Sequence, residues 1–447
     1  MRRNRRSRWG AYAVAALAAA TLAAVGCSSS SSGSGGSSST GGAAAPPSGV
    51  STAAGSGGQG AKSVTNYLTY TGGKAGPANK SLPPVSIGYV NQQGGPTAVG
   101  LLATAGAQMA VNYVNAQLGG VDGHPVQLVT CFIASAEEEG TTCAQKFLAN
   151  KNIDVIDMGG VAIGVQSFFT TLGGTKPVIE GVAATPIDAA QKNAVILFGD
   201  VTHILAPFGT YATSVLHAKT AALIYPSDNA GIAQGAAAIK AGLQQAGVNV
   251  KAVGYTESQT DLTSTLIAAG AQTADMVIPY SDAAGCVNLA KSLTQMGITD
   301  VKKIVSAPLC LNGQVAAGLG GDFPKWTYAI ASSLFGDKTD PGMPAYVTVA
   351  KTYSTPANEP DPWNIVNFGQ LLTTVKVMNE VGYANLSPAA IQAKAKAFTG
   401  PQALGAPELQ CGKYASAPGV CNDRTQFFEY QGNHVFVKAA GWLQPPS

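Results

Sequence analysis

Charge is scarce in this chain of 447 residues: Asp, Glu, Lys and Arg make up only 11%, and there are four histidines. Arg2, Arg3, Arg5, Arg6 and Arg8 are crowded at the start, so the formal net charge of +3 leaves a body that is roughly neutral or acidic. No basic stripe remains to track phosphates, which argues against nucleic acid as a partner. Catalytic signatures are missing too: there is no G-x-S-x-G elbow, no H-E-x-x-H pair and no phosphate loop ending in G-K-S or G-K-T. No histidine stands near a cysteine at zinc-site spacing. The expectation is a binder that turns nothing over and holds no metal or cofactor. The glycine-rich runs before residue 60 follow no strand and are not nucleotide loops.

What is present begins with a positive n-region followed by an apolar, alanine-rich stretch from Trp9 to Val25. Residues 1–26 therefore read as a secretion signal and not as part of the fold. The run Leu22-Ala23-Ala24-Val25-Gly26-Cys27 resembles the bacterial lipobox, whose cysteine receives lipid and becomes the mature amino terminus. The plain alternative is an ordinary signal peptide with an incidental cysteine. Residues 27–60 are almost entirely Ser, Gly, Ala, Thr and Pro, with too little apolar surface to offset their ordering entropy. They read as a tether, which makes a lipid on Cys27 the chain's attachment to a membrane. In the transitional residues 61–82, Val64, Tyr67, Leu68 and Tyr70 are available to pack on the domain that follows.

Of seven cysteines, setting Cys27 aside leaves an even number, as suits an exported protein. The local layout favours three pairs. Cys131 and Cys143 flank a strand-to-helix turn, Cys286 and Cys310 follow two successive strands, and Cys411 and Cys421 close a loop near the end; scattered buried thiols are the alternative.

The organising stretch is Pro84 to Thr130, which reads as strand, glycine turn, helix, glycine turn, strand. Parallel strands joined through a helix require a right-handed crossover. The loop Asn91–Pro96 then lies at the carboxyl end of the first strand, where open α/β sheets bind ligands. Gln92 and Gln93, beside Gly94, are amide-bearing candidates there, or simply exposed loop residues. Strand and helix alternate onward through Ile153–Met158 and Pro177–Val182, and the pattern restarts at Thr220–Tyr225 with a near copy of the opening unit. Tyr280 ends a strand of this second set, and Asp228 lies in the loop matching Asn91–Pro96; both are cleft candidates or packing residues. His203–His217 is expected as one helix, Asn364–Val381 as a long apolar helix, and Thr425–Phe436 as a hairpin turning at Gln431-Gly432-Asn433. Two sets of alternating units predict an α/β chain of two doubly wound three-layer lobes joined by a multi-crossover hinge, with a TIM barrel as the topological alternative. The expected bounds are 84–203 plus about 335–424 for one lobe, and 204–334 plus about 425–447 for the other.

The order of these features resembles the type I periplasmic solute-binding proteins, in particular the leucine, isoleucine and valine receptors of ABC importers. The resemblance rests on V-S-I-G-Y-V with Gly95-Pro96 and the helix into V-N-Y-V-N-A-Q-L-G-G-V-D-G-H-P-V-Q-L-V, on A-A-T-P at Ala183–Pro186, on I-Y-P-S-D-N-A-G-I-A-Q-G, and on D-L-T-S-T-L-I-A-A-G before A-D-M-V-I-P-Y. It implies two lobes closing on a small polar solute, an amino acid or a related amide or carboxylate, with ABC permease subunits as partners; a sensor of the same fold is the alternative. By position, it implies that the loop Gly159–Gly164, including Gly160, Val161 and Ala162, offers backbone amides to a ligand carboxylate, and that Ala183 and Thr185 line the site. The loop serines of the family are absent, since Val161, Ala162 and Ile163 stand there. The family's tyrosine falls near Ala230 and its ammonium-pairing glutamate near Gly285, and both are missing. Asp282 is either a replacement carboxylate or a helix-start residue.

Overall fold

In a computed structural model the described residues are 63–95, 100–356 and 358–447. The expected signal, Cys27, the tether and Pro96 lie outside them. The chain runs through α1 (Tyr67–Thr71), β1 (Val85–Gln92), α2 (Gly100–Gln117), β2 (Val126–Ile133), α3 (Glu138–Ala149), β3 (Ile153–Met158), α4 (Val165–Leu172), β4 (Val178–Ala183), α5 (Pro186–Ala190) and β5 (Ala194–Asp200). Next come α6 (Val201–Leu205), α7 (Phe208–Ser214), β6 (Thr220–Pro226), α8 (Ala230–Gln245), β7 (Asn249–Tyr255), α9 (Thr263–Ala269), β8 (Met276–Pro279), α10 (Ala283–Gln295), β9 (Val305–Ser306), α11 (Gly313–Gly318) and β10 (Thr327–Ile330). The last portion holds α12 (Met343–Tyr353), α13 (Pro362–Val381), α14 (Pro388–Lys396), β11 (Thr399–Gly400), β12 (Leu409–Gln410), β13 (Thr425–Gly432) and β14 (Val435–Leu443).

The first sheet has the order β2-β1-β3-β4-β5, all parallel. Successive side chains of a strand point to opposite faces, and here both faces are covered. Ile87, Val155, Ile179, Val195 and Leu197 join α2, α12 and α13 in one core, while Ile153, Ile156, Met158 and Val178 join α3 and α4 in another. That is why β1 is buried along its whole length and carries no polar/apolar alternation. The second sheet begins β7-β6-β8, continues through a parallel bridge between Val277 and Ile304 into β9 and β10, and ends in antiparallel β13 and β14. Ala222, Ile224, Val277, Tyr328 and Phe428 face α9, α10 and α11; Ala221, Leu223, Met276, Ala329 and Phe427 face α7 and α8. The architecture is thus two doubly wound, three-layer lobes.

The chain passes from the first sheet to the second after β5, returns after β10 and passes over again before β13. The crossings are tied together. Asn422 Nδ2 donates to Phe198 O at 3.0 Å, Thr425 Oγ1 to Ile204 O at 2.6 Å, Gln426 Nε2 to Ser332 O at 2.8 Å, and the Ser333 amide to Leu404 O at 2.7 Å. At Gly199, whose φ is +92°, a Cβ would lie 2.5 Å from Asn422 O, so both the conformation and the close approach call for glycine.

Two expectations need correction. The helix expected over His203–His217 is broken into α6 and α7, because Pro207 lacks the amide hydrogen a continuing helix needs. The hairpin turn is Asn433-His434, both at positive φ, and not Gln431–Asn433; a register shift between Tyr430 and Gly432 moves it along. The strap before β1 also gains an account. Val64 and Tyr67 are buried in the first core, Tyr67 meets Phe368 edge-on at 5.5 Å, and Tyr70 hydroxyl shares a 2.8 Å hydrogen bond with Thr373. Disulfides join Cys131 to Cys143, Cys286 to Cys310 and Cys411 to Cys421, as the layout favoured.

Candidate ligand-binding site

The carboxyl ends of β1 and β3 meet in one small constellation. Gln92 closes β1, its amide nitrogen donates to Gly160 O at 3.3 Å, and its Oε1 accepts from the amides of Ala162 at 2.9 Å and Ile163 at 3.4 Å. Only 6% of Gln92 is exposed, so it ties β1 to the loop after β3 and is not a free loop side chain. Gln93 Oε1 accepts from Thr104 Oγ1 at 2.7 Å, and Thr104 Oγ1 in turn accepts from Asn91 Nδ2 at 3.0 Å, so Gln93 also acts within the lobe. Gly94 is exposed at φ +97°. Val161 is wholly buried among Val90, Ile133 and Phe168, backbone included, whereas Ala162 is exposed.

The start of α4, which follows this loop, is capped from elsewhere. Glu137 accepts from the Gly164 amide and the Ser167 amide, each at 2.8 Å. Burial works to raise the Glu137 pKa, but these donors from Ser167 and Gly164 outweigh it and hold the carboxyl below its ordinary range. At the end of β4, Ala183 is buried against Ala189, Ile196 and Val420. Thr185 is the N-cap of α5 in a capping box: its hydroxyl donates to Asp188 Oδ2 at 2.7 Å and accepts from the Ile187 amide at 3.2 Å. One acceptor position on that hydroxyl remains.

On the second sheet, Asp228 accepts from the Glu257 amide and joins the loops after β6 and β7. Tyr280 is buried with its ring against Gly235 of α8, and burial pushes its pKa up. Asp282 is the N-cap of α10, accepting from the Gly285 amide at 2.9 Å and the Ser281 hydroxyl at 3.2 Å. Tyr255 hydroxyl and Ser281 Oγ lie 2.6 Å apart. A Cβ on Gly285 would come within 1.9 Å of Ser281 Oγ and 2.3 Å of Tyr255 hydroxyl. The place where the resemblance expects a carboxylate is therefore filled by two neutral hydroxyls.

Sequence reasoning missed Trp363. It stands in the first turn of α13, behind the cap Asp361 and Pro362, and a Cβ on Gly160 would lie 2.8 Å from its ring atom Cζ3. Glycine at position 160 lets a half-exposed indole rest on the loop. The signal was a rare aromatic at a helix start, in D-P-W-N. Among the described residues there is no His, Cys, Asp and Glu group able to hold a metal, and no helix long and apolar enough to cross a membrane.

Comparison with known proteins adds the following. The family model described as periplasmic binding protein matches residues 84–412. A search of curated proteins finds no match. Among solved structures, a leucine binding protein from Thermotoga maritima is similar with TM-score 0.60 and 15% identity, covering 81% of this chain and 99% of that one. A branched-chain amino acid transporter substrate binding protein from Streptococcus pneumoniae, in complex with isoleucine, aligns with TM-score 0.61 and 16% identity over 79% of this chain and 99% of its own. A solute binding protein of an ABC transporter from Rhodopseudomonas palustris, in complex with p-hydroxybenzoic acid, aligns with TM-score 0.62 and 15% identity over 81% and 98%.

Proposed function

Since the chain belongs to the periplasmic binding protein family, we propose that it is the extracytoplasmic solute receptor of an ABC importer, held to the outer face of the cell membrane by lipid on Cys27. The observation that carries this reading is the pair of doubly wound sheets linked by repeated, hydrogen-bonded chain crossings. A few connections between two rigid lobes form a hinge, and ligand enclosed between strand-end loops stabilises the closed state. We assign 84–203 and about 335–424 to one half of the clamp, with 204–334 and about 425–447 as the other; the closed form presents both halves to the permease. The chain works by binding and release, without turnover.

Relatives of this fold hold isoleucine in one case and p-hydroxybenzoic acid in another, which supports a solute of that size. The hydroxyl pair at Tyr255 and Ser281 argues against an α-amino acid held by a carboxylate at position 285. A buried ammonium needs a paired charge. The test is a thermal-shift and calorimetric screen of the purified body against amino acids, amides, urea and aromatic acids. At least one solute should raise the melting temperature, by about 2–4 °C or more; no stabilisation by any of them sinks the proposal. Cys27→Ala should release the protein from membranes, and full membrane retention of that variant removes the anchor from the reading.

A further inference from the structure

The loop that the family resemblance assigns to a ligand carboxylate is largely occupied by the protein's own groups. Gly159 donates to Val90 O at 2.8 Å, Ala162 and Ile163 donate to Gln92 Oε1, and Gly164 and Ser167 donate to Glu137. Of the loop amides, those of Gly160 and Val161 alone have no protein acceptor among the described residues, and since Val161 is wholly buried, Gly160 offers the accessible donor. The positive end of α4 is already offset by a carboxylate. A second carboxylate arriving beside it would lose its hydration for a single neutral donor and would meet like charge.

The strand ends and helix starts named next carry no cation to repair this, and His203, just past β5, is already paired with Asp200. Residues 88–95, 158–167, 183–190, 226–230, 255–258, 280–287 and 361–364 contain neither Lys, Arg nor His. They do contain acids, but each has at least one oxygen engaged by the protein itself. Asp188 accepts from Thr185, Asp228 from the Glu257 amide, Glu257 from Asn229 Nδ2, Asp282 from Gly285 and Ser281, and Asp361 from the Trp363 amide. The site is therefore poorly equipped for an anion and equally so for an unshared ammonium. It retains the Gly160 amide donor, an indole face over Gly160 and neutral hydroxyls on the other sheet.

We infer that the solute is uncharged and carries a planar carbonyl or carboxamide, taken up at the Gly160 amide against Trp363, with Gln92 as the positioning residue that closes the loop to carboxylates. This rests on the proposed receptor role. A carbonyl oxygen needs one or two donors and brings no charge, which is what the loop leaves available.

The experiment is calorimetric titration with matched pairs, benzamide against benzoate and isobutyramide against isobutyrate, at pH 7. At least one amide should bind, about tenfold or more tighter than its acid. An acid that binds as tightly as its amide, or failure of both amides, overturns the inference. The receptor reading fails separately, when no solute of the wider screen binds at all. Gln92→Ala frees the Ala162 and Ile163 amides and should raise benzoate affinity about tenfold relative to benzamide; a role limited to folding would lower both together. Gln92→Glu keeps the acceptor oxygens and adds charge, so it should widen the preference for the amide. An unchanged amide-to-acid ratio in Gln92→Glu also overturns the assignment.

Discussion

The sheet β2-β1-β3-β4-β5 buries carboxylic acids, Asp157 in β3 and Glu180 in β4, with Asp188 just beyond, whereas the sheet that begins β7-β6-β8 buries hydroxyls. Four of these hydroxyls are partnered. Ser281 pairs with Tyr255, Ser292 accepts from the Leu262 amide, Ser306 donates to Pro279 O and Thr327 to Val301 O. The acids are only partly so: Asp157 Oδ2, both Glu180 oxygens and Asp188 Oδ1 lack partners. Two lobes of one plan therefore differ in how folding handles polarity. The second neutralises it with short, uncharged groups, and the first keeps acids whose buried charge is costly, so that burial raises their pKa values.

The largest way to sharpen this contrast is pH. Burial pushes Asp157 from 3.8 up to about 8, against a hydrogen bond from Thr374 that lowers it. Burial also raises Glu180 and Asp188, with their neighbouring charges adding to it. A folded-state pKa above the unfolded one gives a contribution fully present below the unfolded value and lost as pH rises through the folded value. For Asp157 that window runs from about pH 4 to about pH 8, at ~1.4 kcal/mol per unit for one proton. The expected result is a higher melting temperature at pH 5 than at pH 8. Asp157→Asn keeps the Thr374 contact and should flatten the slope, read by calorimetry across that range. A variant slope equal to the wild type removes Asp157 from the account.

The second contrast is broken at Gly285. Hydroxyls fill the space around it so closely that Gly285→Ala should lose about 1–3 kcal/mol in urea unfolding. In a Tyr255→Phe, Ser281→Ala background, where both oxygens are gone, the same change should cost less than half as much. Equal cost in the two backgrounds would mean that the hydroxyl pair does not define the space.

Most of the alternation was readable because strands buried on both faces are short apolar runs between glycine turns; the strand Ile153–Met158 was found with the bounds it has in the fold. The pairing of the cysteines followed from the same order. The site was less readable. Periodicity says which face a strand residue takes, but not that Gln92, the last residue of β1, turns its amide into the neighbouring loop. Val161 and Ala183 were assigned by position in a motif, and both are wholly buried in core clusters of the first lobe. Asp282 and Thr185 took the cap positions their types favour. Glu137 carried no mark of its role, since its partners Gly164 and Ser167 belong to the next crossover and meet it only in three dimensions.

The smallest expected effect separates surface from interior within the first lobe. At the end of α13, Glu380 pairs with Lys376 and, at 2.9 Å, with Lys394. Burial works to raise its pKa, but hydrogen bonds and charge from the two lysines leave it lowered. The sign is opposite to that of Asp157: this contribution is present above the unfolded pKa and fades as pH falls. Its environment is also different, since both lysines reach solvent and salt screens them. Lys376→Ala should lose about 0.3–0.5 kcal/mol at low ionic strength. In 1 M salt that difference should vanish while the pH slope assigned to Asp157 persists, because screening ions do not enter the buried layer between β3 and α13. A pH slope that disappears with salt, together with the Lys376 effect, would instead trace the titration to the surface.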